Sequence, residues 1–285
     1  MRPLAANGYK GNPVKASGPA GLRTCEPGVS PSEIRACRQA EARDVTGERI
    51  KLYRGDALRV MRGLPSGTYD AVITDPPYAA GVSLSAKGAS TASKYCENKR
   101  GNPLPDFEGD AMDQRTWTLF MTDVLRDARR LCVPGAVCAV FIDWRMLPSL
   151  TDAMQRAGWI WRGVAVWDKL ASRPQKGRFR QQAEFLVWGS AGRLPVDRPV
   201  PVLPGVFHHV NVATGERLHQ VQKPLELMRE VVKICVPGGR VLDPFAGSGS
   251  TLLAAALEDL TADGIESSEA IARTAAERLG VTLQE

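Results

Sequence analysis

The chain has 285 residues, 44% of them hydrophobic, enough apolar material for one substantial core with a small appended region. No stretch approaches the roughly 18 to 20 consecutive apolar residues of a membrane span, and no apolar run suits secretion, so membrane-spanning and exported classes are set aside. A net charge of +6 and a pI near 9.1 admit a polyanionic partner without naming one.

Residues 1 to 31 hold five glycines and five prolines without periodicity, too little apolar surface to offset the entropy of ordering. Residues 1–48 are therefore expected to be a flexible extension, and the four basic side chains among residues 1 to 25 read as a solvated tail rather than a transit peptide. Order is expected near Ile50-Lys51-Leu52-Tyr53, an alternating strand ending at Gly55-Asp56, followed by a short helix over Ala57–Met61. Ala71–Thr74 reads as a buried strand that cannot continue through Pro76-Pro77. The segment Thr74-Asp75-Pro76-Pro77-Tyr78 thus sets a carboxylate, a rigid corner and an aromatic ring at a strand's end. Residues 79–112 are polar and too long for a plain connection, and loops of this kind are functional or disordered.

Trp117, Phe120, Met121, Val124, Leu125, Ala128 and Leu131 fall at helical spacing, and Pro134-Gly135 is expected to stop that helix before a strand over Val137–Ile142. A helix over Leu150–Ala157 and strands over Trp161–Trp167 and Phe185–Trp188 follow. Between those strands runs ASRPQKGRFRQQ, with four basic residues. Leu194–Gly205 is a proline-rich linker. Then come a helix over Pro224–Cys235, a strand over Arg240–Leu242, a helix over Thr251–Leu260, a strand over Ala262–Ile265 and a closing helix over Ser268–Leu279. This alternation predicts an α/β fold with a mostly parallel sheet and helices on both faces.

The six cysteines make no CxxC pair, and two of the three histidines are adjacent, so no metal site is expected. Cys132, Cys138 and Cys235 lie in apolar stretches as small hydrophobes, while Cys25, Cys37 and Cys96 lie in polar ones. The pattern suits a reducing cytoplasm.

Two stretches carry chemistry. In VLDPFAGSGSTLLAAAL, residues 241 to 257, a strand leads through a turn containing Gly247, Ser248 and Gly249 into a helix N-terminus, an arrangement that brings backbone close to a ligand. A phosphate-binding loop would need a lysine where Gly249 stands, and Asp243 would oppose a pyrophosphate, so nucleoside triphosphates and dinucleotides are disfavoured. Glu266, at the end of the next strand, can accept from both ribose hydroxyls. A ligand with a ribose, positive charge and no phosphate fits S-adenosylmethionine. At the other stretch, a planar exocyclic amine can donate to the Asp75 carboxylate and the Pro76 carbonyl while Tyr78 stacks on its ring. No Pro-Cys dipeptide occurs, so the covalent route of carbon methylation has no nucleophile, and a base within a duplex would have to be flipped out.

The order of these stretches resembles the permuted β group of amino-methylating DNA methyltransferases, in which DPPY precedes DPFxGSG. YRGDAL (53–58), VFIDW (140–144), VWDK (166–169), FRQQAEFLVW (179–188) and HQVQKP (219–224) extend the resemblance to nearly everything beyond residue 50. It implies a Rossmann-like, circularly permuted methyltransferase fold over residues 49–285, with S-adenosylmethionine as cofactor and double-stranded DNA as substrate. It also implies a bacterial or phage-encoded cytoplasmic enzyme, a restriction–modification setting and a homodimer as one assembly. By resemblance, Asp75, Pro76, Pro77 and Tyr78 hold the target base. Asp243, Phe245, Gly247, Ser248 and Gly249 surround the methionine part of the cofactor, Glu266 takes the ribose, Asp56 the adenine amino group, and Lys223-Pro224 lie over the methionine end. The aspartate form of DPPY resembles adenine N6 methylation; cytosine N4 methylation is the alternative. A catalytically silent DNA-binding protein, and methylation of RNA or a glutamine side chain, are competing readings. No large target-recognition insertion is visible, so DNA reading is expected from residues 79–112, with Lys94, Lys99 and Arg100, and from the basic segment carrying Arg173, Lys176, Arg178 and Arg180.

Overall fold

A computed structural model describes residues 46–78, 112–171, 176–211 and 223–285. The expected extension, apart from residues 46–48, and the expected DNA-facing loop, apart from Met112, lie outside the described residues, as do Cys25, Cys37, Cys96 and Arg173. In chain order the elements are β1 (Ile50–Arg54), α1 (Ala57–Gly63), β2 (Tyr69–Thr74), α2 (Gln114–Leu131), β3 (Cys132–Ile142), α3 (Leu147–Arg156), β4 (Ile160–Asp168), β5 (Ala183–Ser190) and β6 (Val206–His208). Then come α4 (Leu225–Val232), β7 (Arg240–Asp243), α5 (Ser250–Leu257), β8 (Thr261–Glu266), α6 (Glu269–Leu279) and β9 (Leu283–Gln284).

The strands form one sheet in the order β6-β4-β5-β3-β2-β7-β8-β1-β9. Among the described strands only β5 runs against its neighbours, pairing antiparallel with both β3 and β4. The carboxyl ends of β1, β2, β3, β4, β7 and β8 therefore share one edge. Period-two alternation divides the central strands between two cores: Ala71, Ile73, Ala139 and Phe141 pack toward α4, α5 and α6, while Val72, Cys138, Val140 and Ile142 pack toward α1, α2 and α3. Both faces are covered, which is why these strands read as continuous apolar runs. On α2, Trp117, Met121, Val124, Leu125, Ala128 and Leu131 are all buried, each larger aliphatic contributing about 1.5–3 kcal/mol.

Several boundaries differ from the sequence reading for local reasons. Pro134-Gly135 lie inside β3: α2 ends earlier, at Cys132, whose backbone turns extended and whose N–H donates to Arg129 O. Pairing then shifts from Tyr69–Cys132 to Ala71–Val137, so the extra residues form a bulge. Gly135 sits there at φ 82 with its N–H donating to Ala191 O at 2.8 Å, a conformation open to glycine at little cost. α3 starts three residues early, with Pro148 in its first turn. The proline-rich linker gives way to β6, and Leu283–Gln284 form β9 beside β1; both strands are too short for periodicity to show them. Thr46 is buried, and its hydroxyl donates to Leu279 O at 2.5 Å.

Candidate active site

From the central pair β2 and β7 the chain works outward in both directions, to β3 on one side and β8 on the other. Such a reversal leaves a crevice at the carboxyl ends of the strands, the usual place for a ligand in an open α/β sheet. Thr74 ends β2 and Asp243 ends β7, and the Thr74 hydroxyl donates to Asp243 Oδ1 at 2.6 Å. One buried hydrogen bond thus joins two motifs 169 residues apart.

On the β2 side, Asp75 and Tyr78 sit in a partly buried charge network. The Tyr78 hydroxyl donates to Asp75 Oδ1 at 2.5 Å and lies 3.3 Å from Glu184 Oε2. Lys223, only 4% exposed, donates to Asp75 Oδ2 at 2.5 Å and pairs with Glu184 Oε2 at 3.2 Å. Lys169 closes the set on Glu184 Oε1. The Lys223 ammonium also lies 5.1 to 5.8 Å from the ring centroids of Phe141, Tyr78 and Trp167. Burial alone would pull Lys223 down, yet Asp75 and Glu184 together carry it above its ordinary value. Burial would push Glu184 up, yet Lys223 and Lys169 hold it below. For Asp75 burial wins, and the carboxyl stays above the usual range. Among the described residues each Asp75 oxygen accepts one hydrogen bond, and a carboxylate oxygen has a second lone pair that can accept an incoming N–H. The corner itself is pinned by the Trp117 indole, which donates to Pro77 O at 2.7 Å.

On the β7 side, the turn between β7 and α5 is shaped by two left-handed glycines. Gly247 has φ 53 and open space where a Cβ would point, so the backbone there offers an unfilled cradle. Gly249 has φ 79, a left-handed conformation that favours glycine, and a Cβ would also press on Leu279 Cδ1 at 2.7 Å. Asp243 is buried and accepts from Thr74, Thr251 and the Phe245 N–H. Glu266 accepts from Gly247 N at 3.0 Å and Ser268 N at 2.8 Å, and burial raises its pKa. Phe245 packs against Phe120, with centroids 6.0 Å apart. Asp56 follows β1, beside β8, and caps α1 through Arg59 N at 2.9 Å. Arg278 reaches from α6 to Ser248 O at 2.8 Å and holds the turn from behind. Buried carboxylates at two adjacent strand ends, an open glycine cradle and no lysine in the turn suit a cationic nucleoside better than a phosphate.

The family described as DNA methylase, N6_N4_Mtase, matches residues 69–277, well over half of the chain. The chain belongs to this family. It is 28% identical over 275 residues to the type II methyltransferase M.XycI of Xanthomonas campestris pv. cyanopsidis, covering 80% of this chain and 87% of that one. Its fold is similar to the crystal structure of the M1.HpyAVI–SAM complex, with a TM-score of 0.58 at 22% identity, covering 81% of this chain and 98% of that one. It is also similar to the cytosine-N4-specific PvuII DNA methyltransferase, with a TM-score of 0.60 at 17% identity, covering 82% and 87%. The Rossmann-like methyltransferase fold and the use of S-adenosylmethionine follow for this DNA methylase.

The methylase brings Asp75 to Tyr78 and Asp243 to Gly249 to one sheet edge, with Glu266 beside the glycine turn. Lys223 pairs with Asp75 and Glu184, which ties it to the β2 side of the crevice. Sequence reading missed Glu184, Lys169, Thr74 and Arg278 as members of the site. Glu184 did leave a signal, since it is the one charged residue in the otherwise uncharged strand AEFLVWGS. Arg278 left none, being one more basic residue in the last turn of a helix.

Proposed function

We propose that this DNA methylase transfers a methyl group to the N6 amine of adenine in double-stranded DNA, the target base being flipped out of the helix. When bound, S-adenosylmethionine supplies an electrophilic methyl group. Asp243, Phe245, Gly247, Ser248, Gly249, Glu266 and Asp56 would hold it, at the ends of β7, β8 and β1. The single observation that carries the reading is the Asp75 carboxylate, partly buried at the end of β2, able to accept a further hydrogen bond on each oxygen, and joined through Thr74–Asp243 to the glycine turn. Asp75 and the Pro76 carbonyl accept the two amine hydrogens, which turns the nitrogen lone pair away from the ring plane. Tyr78 holds the ring, its hydroxyl fixed by Asp75 and Glu184. Catalysis is then positioning and electrostatics, with no covalent enzyme intermediate. The aspartate in DPPY favours adenine over cytosine. Nucleoside analysis of DNA from cells expressing the protein should show N6-methyladenine. N4-methylcytosine would overturn the choice of base, and no modified base at all would overturn methyl transfer.

Asp243 predicts a pH dependence of cofactor binding. Burial lifts its pKa from 3.8 to about 6 despite hydrogen bonds from Thr251, Thr74 and Phe245 N. The folded state therefore binds a proton more tightly than the unfolded one. Its contribution to stability is full below 3.8 and is lost as pH rises through about 6. A cationic ligand needs the ionised form, so cofactor affinity should rise about ten-fold per pH unit below about 6 and level off above it. Calorimetric binding at a series of pH values, with Asp243→Asn as control, checks this. A wild-type affinity flat through that window would remove Asp243 from the cofactor's surroundings.

A further inference from the structure

Among its described residues, the connection from β4 to β5 has a fixed root and an exposed stretch at 176–180. At the root, Lys169 N donates to Gln182 O at 2.8 Å, and both Leu170 N and Gln182 Nε2 donate to Asp168 Oδ1 at 2.9 Å. Lys169 and Glu184, one on each arm, belong to the partly buried network around Asp75, so the connection leaves the sheet beside the acceptor pocket. Within the exposed stretch, Phe179 is 99% exposed between Arg178 and Arg180, which are exposed as well. No acidic residue occurs between Asp168 and Glu184. Five residues carry the chain from Phe179 to Glu184, a reach of at most about 17 Å. At the same sheet edge, just past β3, Trp144 is 52% exposed with the Arg145 guanidinium 4.8 Å from its ring centroid. A lone exposed phenylalanine is ordinary on a protein surface. One carried between arginines on an acid-free connection, rooted in a base-holding pocket, has a use.

We propose that the 176–180 stretch is a wedge for the DNA base stack. Phe179 enters the duplex at the step vacated by the target base, while Lys176, Arg178 and Arg180 hold the flanking phosphates. This rests on duplex DNA being the substrate. A base drawn into the Asp75–Tyr78 pocket leaves a gap in the stack, and unstacking opposes the extrusion. An apolar ring in that gap restores stacking on the orphaned partner and blocks return of the target. The ring needs no hydrogen bond for this, and the cations supply affinity that is independent of sequence.

Once the methylated sequence has been read, two oligonucleotide duplexes carrying it test the wedge: one fully paired, one with an abasic position opposite the target. Phe179→Ala should methylate the paired duplex about ten-fold more slowly than wild type, and the abasic-opposed duplex within about two-fold. Phe179→Trp should keep most of the wild-type rate on both. With 2-aminopurine at the target position, the fluorescence rise on binding should be smaller for Phe179→Ala than for wild type. Unchanged rates on the paired duplex, or equal losses on both duplexes, overturn the wedge. A wild-type protein that methylates no DNA overturns instead the function on which the wedge rests.

Discussion

Asp75→Asn should lower the rate of methyl transfer by about 10²–10³-fold while leaving cofactor affinity within about three-fold of wild type. The substitution keeps the shape of the side chain but replaces an oxygen with an amide nitrogen, which donates where the target amine must also donate. Lys223 keeps Glu184 as a partner, so the variant does not strand a buried cation. Glu266→Ala should do the opposite. It removes the acceptor that lies against Gly247 N and Ser268 N, so cofactor affinity should fall by more than about ten-fold, with the rate at saturating cofactor changed by only a few-fold. Single-turnover rates and equilibrium cofactor binding, measured on both variants, separate the two halves. Equal loss of cofactor affinity in both would mean that Asp75 and Glu266 serve one pocket rather than two.

Both halves of the candidate site stand out in the sequence because each sits where a strand must stop. Pro76-Pro77 cannot continue β2, and Gly247 and Gly249 take left-handed conformations that end β7 and open α5. Local rules act on neighbouring residues, and these motifs are local. The position of β5 is not. A strand over Phe185–Trp188 follows from its apolar residues, but nothing in that run says that it inserts antiparallel between β3 and β4. Glu184 rides on that insertion and reaches Tyr78 from 106 residues away. Lys223 likewise meets Asp75 across 148 residues, so its neighbour Pro224 could not reveal its partner. Residues whose roles come from strand order are invisible to periodicity, whereas those whose roles come from chain reversal are not.

The same network predicts the largest effect on stability, at Lys223. Two carboxylates, Asp75 and Glu184, face two ammonium groups, Lys169 and Lys223, in a pocket where Lys223 and Glu184 are buried and the other two are partly so. Lys223→Gln leaves two carboxylates around one cation and should cost roughly 3–5 kcal/mol. The pH dependence follows in sign. In the wild type, Glu184 is held below its ordinary 4.5, so its contribution is present above 4.5 and lost as pH falls through the lower folded value. Lys223 is held above its ordinary 10.5, so its contribution is full below 10.5 and lost only as pH rises through the higher folded value. Without Lys223 the two carboxylates raise each other, so the variant's deficit should be small in acid and grow as pH rises through neutrality. Adding Glu184→Gln to Lys223→Gln restores the charge balance, and the double variant should recover more than about half of the lost stability. Urea unfolding of the four proteins at about pH 5.5 and about pH 8 measures both effects. If the two substitutions simply add, at either pH, the four side chains are neighbours without being an electrostatic unit. If they compensate, the four side chains act as one electrostatic unit beside the pocket proposed for the target amine, and Asp75 is held in place by the same ions that balance its charge.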